Sequence, residues 1–149
     1  MDEVNIYTYT TIQGPKKRAG IGMFILETIT SKGEATFTKQ VELEPMTEHQ
    51  AELFVLCKAM EKLKRCCQIN IHTQSQFVSS AVTNGWVETW HKNGWKNSKK
   101  QDVANAEEWQ KMLNLLNNNV FSFKVCEKHK YLNWMKNELA KAEKEKKDV

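Results

Sequence analysis

Between Trp86 and Lys100 three tryptophans, Trp86, Trp90 and Trp95, are set among His91, Lys92, Lys96, Lys99 and Lys100, with Glu88 the one acidic residue. Ammonium groups neutralise phosphates and indole faces pack on sugars or bases, so this stretch has the composition of a nucleic-acid contact. Trp86 and the later Trp109 are read as packing residues. Trp90 and Trp95 with Lys92, Lys96, Lys99 and Lys100 are the contact candidates, although any one lysine is equally a solvated face. A second set carries metal-ligand chemistry. His49 lies one turn before Glu52, and His72 lies two residues before Gln74 on one strand face, an arrangement open to a transition metal. Four cysteines, Cys57, Cys66, Cys67 and Cys126, show no CxxC spacing and read as free thiols in a reducing compartment.

A chain of 149 residues, 40% hydrophobic, suits one globular domain over residues 1–149, with about 141–149 as a polar helical extension or tail. Its net charge of +4 is unevenly spread: residues 1–57 carry 5 Lys/Arg against 8 Asp/Glu, and residues 58–149 carry 17 against 10. The basic second half points to an anionic partner, a phosphate backbone being the commonest, or simply to solubility. No apolar run reaches transmembrane length and no charged-apolar-small leader opens the chain. A cytoplasmic protein without membrane contact is therefore expected.

The elements that must position these residues follow from periodicity. Val4 to Thr10 is β-branched and aromatic and stops before Gly14-Pro15, which reads as a strand. Gly20 to Ile29 is nearly continuous apolar sequence, as in a strand buried on both faces. Residues 35–43 alternate, with Phe37, Val41 and Leu43 opposite Thr36, Thr38, Gln40 and Glu42. Short connections make these three an antiparallel meander. Thr47 with Gln50 is a capping-box pattern opening a helix whose stripe is Leu53, Leu56, Cys57, Met60 and Leu63. Gln68 to Thr73 is a strand, followed by a helix to about Thr83. Asn105 with Glu108 caps a helix carrying Trp109, Met112, Leu113 and Leu116. Phe121, Phe123 and Val125 form a last strand, and Leu132, Met135, Leu139 and Ala142 a final helix. The order β-β-β-α-β-α-α-β-α implies a mixed sheet with helices on its faces.

Particular stretches stand in that order. They are Val4-Asn5-Ile6-Tyr7-Thr8-Tyr9, Thr47 to Leu53, Ile71 to Val78, Lys136 to Ala140, and the series Trp86, Trp90, Trp95, Trp109 with Gly94-Trp95-Lys96 and Asn105 between. Together they resemble the bacterial-type ribonuclease H family over nearly the whole chain, about Asp2 to Lys141. The resemblance implies an α/β, ribonuclease H-like fold: a five-stranded mixed sheet, three strands antiparallel and then two parallel, with helices on both faces. It also implies that Trp86 to Lys100 is the family's basic protrusion, which grips the DNA strand of an RNA/DNA hybrid, with Thr47 and Gln76 as further nucleic-acid contacts.

The family cuts the RNA strand of such hybrids with two Mg²⁺ ions held by four carboxylates, Asp, Glu, Asp and Asp, which activate a water and stabilise the departing oxygen. On the matching motifs these positions fall on Tyr9, Glu52, Gln74 and Asn137, so one carboxylate of four stands in place. Mg²⁺ is a hard cation held by carboxylates, waters and substrate phosphates. One formal negative charge instead of four removes most of the attraction that gathers two divalent ions, and the Tyr9 ring is expected to intrude on the metal and phosphate positions. No neighbouring carboxylate substitutes: Glu3 lies about 20 Å along the strand, and Glu138 points about 100° away from Asn137 on its helix. His129, in Glu127-Lys128-His129, matches the family's loop histidine that helps proton transfer or product release, or is a solvated loop residue. Glu48 stands where a neutral side chain would help grip a DNA phosphate.

These residues lead to the expectation of a ribonuclease H-like protein that is not an enzyme. It would bind RNA/DNA hybrid or other duplex nucleic acid through the Trp/Lys protrusion, hold no cofactor, and bind Mg²⁺ or Mn²⁺ weakly or not at all. A protein-interaction or scaffolding module, with a protein partner or as a homodimer, is the alternative. A weak metal-dependent nuclease working with Glu52 is the third reading.

Overall fold

The computed structural model describes residues 2–125 and 127–147. Cys126 and residues 148–149 of the polar tail lie outside the described residues, as does Met1. Five strands form one sheet: β1 (Asp2–Thr10), β2 (Arg18–Thr30), β3 (Gly33–Met46), β4 (Cys67–Thr73) and β5 (Val120–Val125), in the order β3-β2-β1-β4-β5. The meander β1-β2-β3 pairs antiparallel, while β1–β4 and β4–β5 pair parallel. The helices are α1 (Glu48–Met60), α2 (Gln76–Thr83), α3 (Trp86–Lys92), α4 (Ala106–Asn117) and α5 (Leu132–Lys147). Three helices thus separate β4 from β5 where periodicity implies two. The added one, α3, has seven residues, too few to show a helical stripe.

The unbroken apolar run of β2 has a physical cause: the strand feeds two cores. Phe24 and Leu26 pack with α1 and α4 on one face, joined by Ile6, Leu53, Leu56 and Trp109. Ile21, Met23 and Ile25 pack with Met135 and Leu139 of α5 on the other. At Gly22 a Cβ would stand 2.4 Å from Val55 Cγ2, so the absent side chain is what lets α1 settle on the sheet. As expected from the capping pattern, the Thr47 side chain accepts from the Gln50 amide at 3.3 Å and starts α1. The stripe runs to Met60, and Leu63 falls beyond the helix end. Asn105 does not cap through its side chain; it holds left-handed backbone, φ 62, before α4. The edge strand β3 is mostly exposed, because its length outruns the ground that α1 and α5 cover.

Candidate nucleic-acid interface

The C-terminal ends of β1 and β4 and the first turns of α1 converge, as neighbouring parallel strands require. Tyr9, Glu48, Glu52, Gln74 and Ser75 line one small cavity of about 40 Å³. Three of the four positions that the resemblance assigns to the family's carboxylates therefore meet. Asn137 does not line that cavity and lies exposed on α5. Glu52 is 5% exposed, and its Oε1 accepts from Thr8 Oγ1 at 2.5 Å and Thr73 Oγ1 at 2.7 Å. Burial pushes its carboxyl above the ordinary range, and the nearby Glu48 adds to this, against the two hydroxyl bonds. Tyr9 lines this cavity together with Glu52. It packs towards the α5 core, with Lys136 Nζ 5.9 Å from its ring centroid. Glu48 braces the turn after β1: its Oε2 accepts from the Gly14 amide at 3.3 Å, while its own amide donates to the Gly14 carbonyl at 3.2 Å.

The donor set of this cavity is sparse in charge. Of the cavity's two carboxylates, Glu52 is engaged by Thr8 and Thr73, and Glu48 by Gly14. Tyr9 and Gln74 add a phenol and an amide. Among the described residues no three His, Cys, Asp or Glu side chains gather to hold a metal. The His49–Glu52–His72 arrangement is also undone. His49 stacks on Phe77 at 4.2 Å, and His72 stacks on Tyr7 at 4.4 Å on the α5 side of the sheet.

Beside this cavity a wider cleft of about 640 Å³ opens between α1, the turn after β1 and the segment 86–105, with Lys17, Thr47, His49, Phe77 and Trp90 among its lining. Thr47 and Trp90 are thus brought into it, whereas Lys92, Lys99, Lys100 and Gln76 stand exposed outside the lining. Gln76 Nε2 donates to Ser80 Oγ at 2.9 Å. Lys96 is ion-paired to Asp102, just past the stretch that reads as basic. Trp109 is a core residue at 1% exposure, but Trp86, also read as packing, is 41% exposed. Trp90 meets Trp109 edge-on at 5.8 Å, and Trp95 meets His91 at the same distance, both half-buried.

His129 is not a solvated loop residue. Its ring lies 4.5 Å from Tyr7, its Nδ1 accepts from the Tyr131 amide, and its buried Nε2 has no partner among the described residues. Burial, then the neighbouring His72, pulls its pKa down to about 4. Sequence reasoning missed what holds this loop. Glu27, 1% exposed, accepts from Tyr131 Oη at 2.5 Å and pairs with Lys130 at 2.7 Å. Asn5 donates to its other oxygen at 2.9 Å. The one available signal was a carboxylate ending the apolar run Met23 to Leu26. The loop reaches the cavity too, since Gln74 Nε2 donates to the Glu127 carbonyl at 3.4 Å.

A mixed sheet in this strand order, with helices on both faces and a cleft at the ends of β1 and β4, defines a ribonuclease H-like fold. The RNase H family model matches residues 1–145, and the chain belongs to that family. A ribonuclease H of Desulforamulus reducens is 29% identical over 149 residues, 99% of this chain and 84% of the relative. A ribonuclease H of Legionella pneumophila (strain Corby) is 34% identical over 117 residues, covering 76% and 75%. Among solved structures, LC9-RNase H1, described as a type 1 RNase H with the type 2 active-site motif, superposes with a TM-score of 0.77 at 16% identity, over 95% of this chain and 72% of that one. LC11-RNase H1 in complex with RNA/DNA hybrid gives 0.57 at 18% identity, over 93% and 98%. These relatives overturn one expectation. The chain was read as not an enzyme, yet proteins 29% and 34% identical over most of its length bear the name of one.

Proposed function

We propose that the chain binds RNA/DNA hybrid in the cleft bounded by α1 and the segment 86–105, with Lys92, Lys99 and Lys100 neutralising the DNA strand's phosphates. The observation that carries this reading is the cleft itself. Its size, its aromatic lining from His49, Phe77 and Trp90, and the exposed Lys92, Lys99 and Lys100 of the same segment, which have no carboxylate partner among the described residues, suit a polyanion with stacked faces. The hybrid bound to LC11-RNase H1 supports hybrid as the duplex of choice. Mg²⁺ and Mn²⁺ bind weakly at the Tyr9–Glu52–Gln74 cavity, so hybrid binding does not depend on them. The free thiols Cys57, Cys66 and Cys67 fit a reducing, cytoplasmic setting.

The test is fluorescence anisotropy of a labelled hybrid, titrating salt in EDTA. Affinity should fall steeply with salt, and Lys92→Ala/Lys99→Ala/Lys100→Ala should weaken binding and flatten the log–log slope by about 2 to 3. Absence of binding at low salt refutes the reading. RNA-strand cleavage is followed in parallel with Mn²⁺, and its loss in Glu52→Gln assigns any cutting to this cavity.

A further inference from the structure

At the other end of α1 from the cleft, a second concavity of about 380 Å³ opens between the helix and the edge strand β3, lined by Phe24, Lys39, Val41, Lys58, Glu61 and Lys62. Its origin is the overhang of β3 already described: where α1 stops, Phe24 and Val41 form an apolar floor. The sheet register places Lys39 beside Phe24, and Phe37 lies two residues along on the same face. Phe37 is 49% exposed, with its ring 6.2 Å from that of Phe24. Lys62 Nζ stands 5.9 Å from the Phe37 centroid, and Lys58 Nζ stands 5.3 Å from that of Phe54. Glu61, the one carboxylate lining the concavity, is ion-paired to Lys111. Among the described residues, none of the three lysines has a carboxylate partner. Three ammonium groups thus surround an apolar floor whose one lining carboxylate is already ion-paired, beside a half-exposed aromatic ring.

We propose that this concavity is a binding site for single-stranded nucleic acid, with an unpaired base stacked on Phe37 and backbone phosphates neutralised by Lys39, Lys58 and Lys62. Stacking on an aromatic platform inside a cationic groove is how single strands are held without sequence preference. The volume sits near the lower end of small-ligand pockets, about 300 Å³, and admits a base with its phosphates rather than a duplex. This site is separate from the hybrid cleft and does not rest on that reading.

The experiment is anisotropy of a labelled ten-residue oligothymidylate with the full chain in EDTA, titrated with salt. Phe37→Ala should weaken binding by about fivefold to a hundredfold, and Phe37→Tyr should restore it. Lys39→Ala/Lys58→Ala/Lys62→Ala should make the log–log salt slope shallower by about 2. Lys92→Ala/Lys99→Ala/Lys100→Ala should lower the affinity and the slope less than the 39/58/62 variant does, and should leave the Phe37→Ala effect in place. Lys58 is half-buried and the other substituted side chains are exposed, and circular dichroism confirms that each variant is folded. The proposal is overturned if the wild type does not bind the strand, if Phe37→Ala binds as the wild type does, or if the loss is confined to the 92/99/100 variant. Strand binding without hybrid binding would leave this site standing and remove the cleft reading alone.

Discussion

Replacing Glu27 by glutamine keeps the shape of the side chain and removes the charge that Lys130 and Tyr131 engage. Burial pushes this carboxyl up, but the hydrogen bonds from Lys130, Tyr131 and Asn5 hold it at about 2, against an ordinary 4.5. At about 1.4 kcal/mol per tenfold, that lowering corresponds to about 3 kcal/mol. Because the Lys130 side chain is 48% exposed, solvent screening reduces the expected contribution to about 2 kcal/mol. The folded state favours the ionised form, so the stabilisation is complete above pH 4.5 and is lost as pH falls towards 2. Urea melts of wild type and Glu27→Gln at pH 7 should therefore differ by about 2 kcal/mol at constant m value, or about 6 °C in Tm. The gap should shrink to about half by pH 3 and close near pH 2. A difference under about 0.5 kcal/mol at pH 7, or one unchanged at pH 3, refutes the reasoning. The consequence reaches the cavity, because the loop that Glu27 anchors carries the Glu127 carbonyl that Gln74 contacts.

Two further outcomes follow from packing and titration. Gly22→Ala should destabilise by about 1 to 3 kcal/mol in thermal melts, since its Cβ meets Val55 Cγ2 at 2.4 Å, and Val55→Ala in the same chain should recover part of the loss. His129 is held neutral with its pKa down at about 4, against 6.5 when free. The unfolded chain therefore takes up the proton first, and stability should decline as pH falls from 6.5 to 4. His129→Leu should make that slope shallower without abolishing it, since burial also holds the pKa of His72 down, and a slope unchanged in the variant would place its origin elsewhere.

What the sequence revealed and what it hid divide along physical lines. The strands were legible where burial imposes a pattern. Phe24 and Leu26 face one core and Met23 and Ile25 the other, so β2 had to read as continuous apolar sequence. The start of α1 was legible because its capping bond, Thr47 to the Gln50 amide, is local. The helix α3 and the left-handed Asn105 were not, since seven residues cannot show a stripe and an Asn cap and an Asn turn share one letter. In the site, the meeting of Tyr9, Glu52 and Gln74 followed from motif order, because parallel neighbours end at the same edge. The Glu27 clamp was hidden because its partners stand 22 and 104 residues away, and no local rule pairs residues at such separations. Trp86 was misread for a related reason: the core takes Trp109 of α4 with Trp90 set edge-on against it, and only the fold decides which indole turns outward.

The electrostatics of the cavity bear directly on how a phosphate strand approaches it. Where four carboxylates crowd together, a polyanion comes close only once cations have neutralised them, and binding then tracks metal concentration. Here Glu52 is buried under two hydroxyl bonds with its carboxyl pushed upward, and Glu48 is turned into the bracing of the Gly14 turn. Lys136 lies over the Tyr9 ring and has no carboxylate partner among the described residues. A backbone phosphate drawn to the cleft therefore meets an ammonium beside the cavity instead of a cluster of negative charge. In the proposed reading this separates two quantities that a carboxylate-rich site couples: hybrid affinity should be the same in EDTA and in Mg²⁺ at matched ionic strength, while its dependence on monovalent salt stays steep.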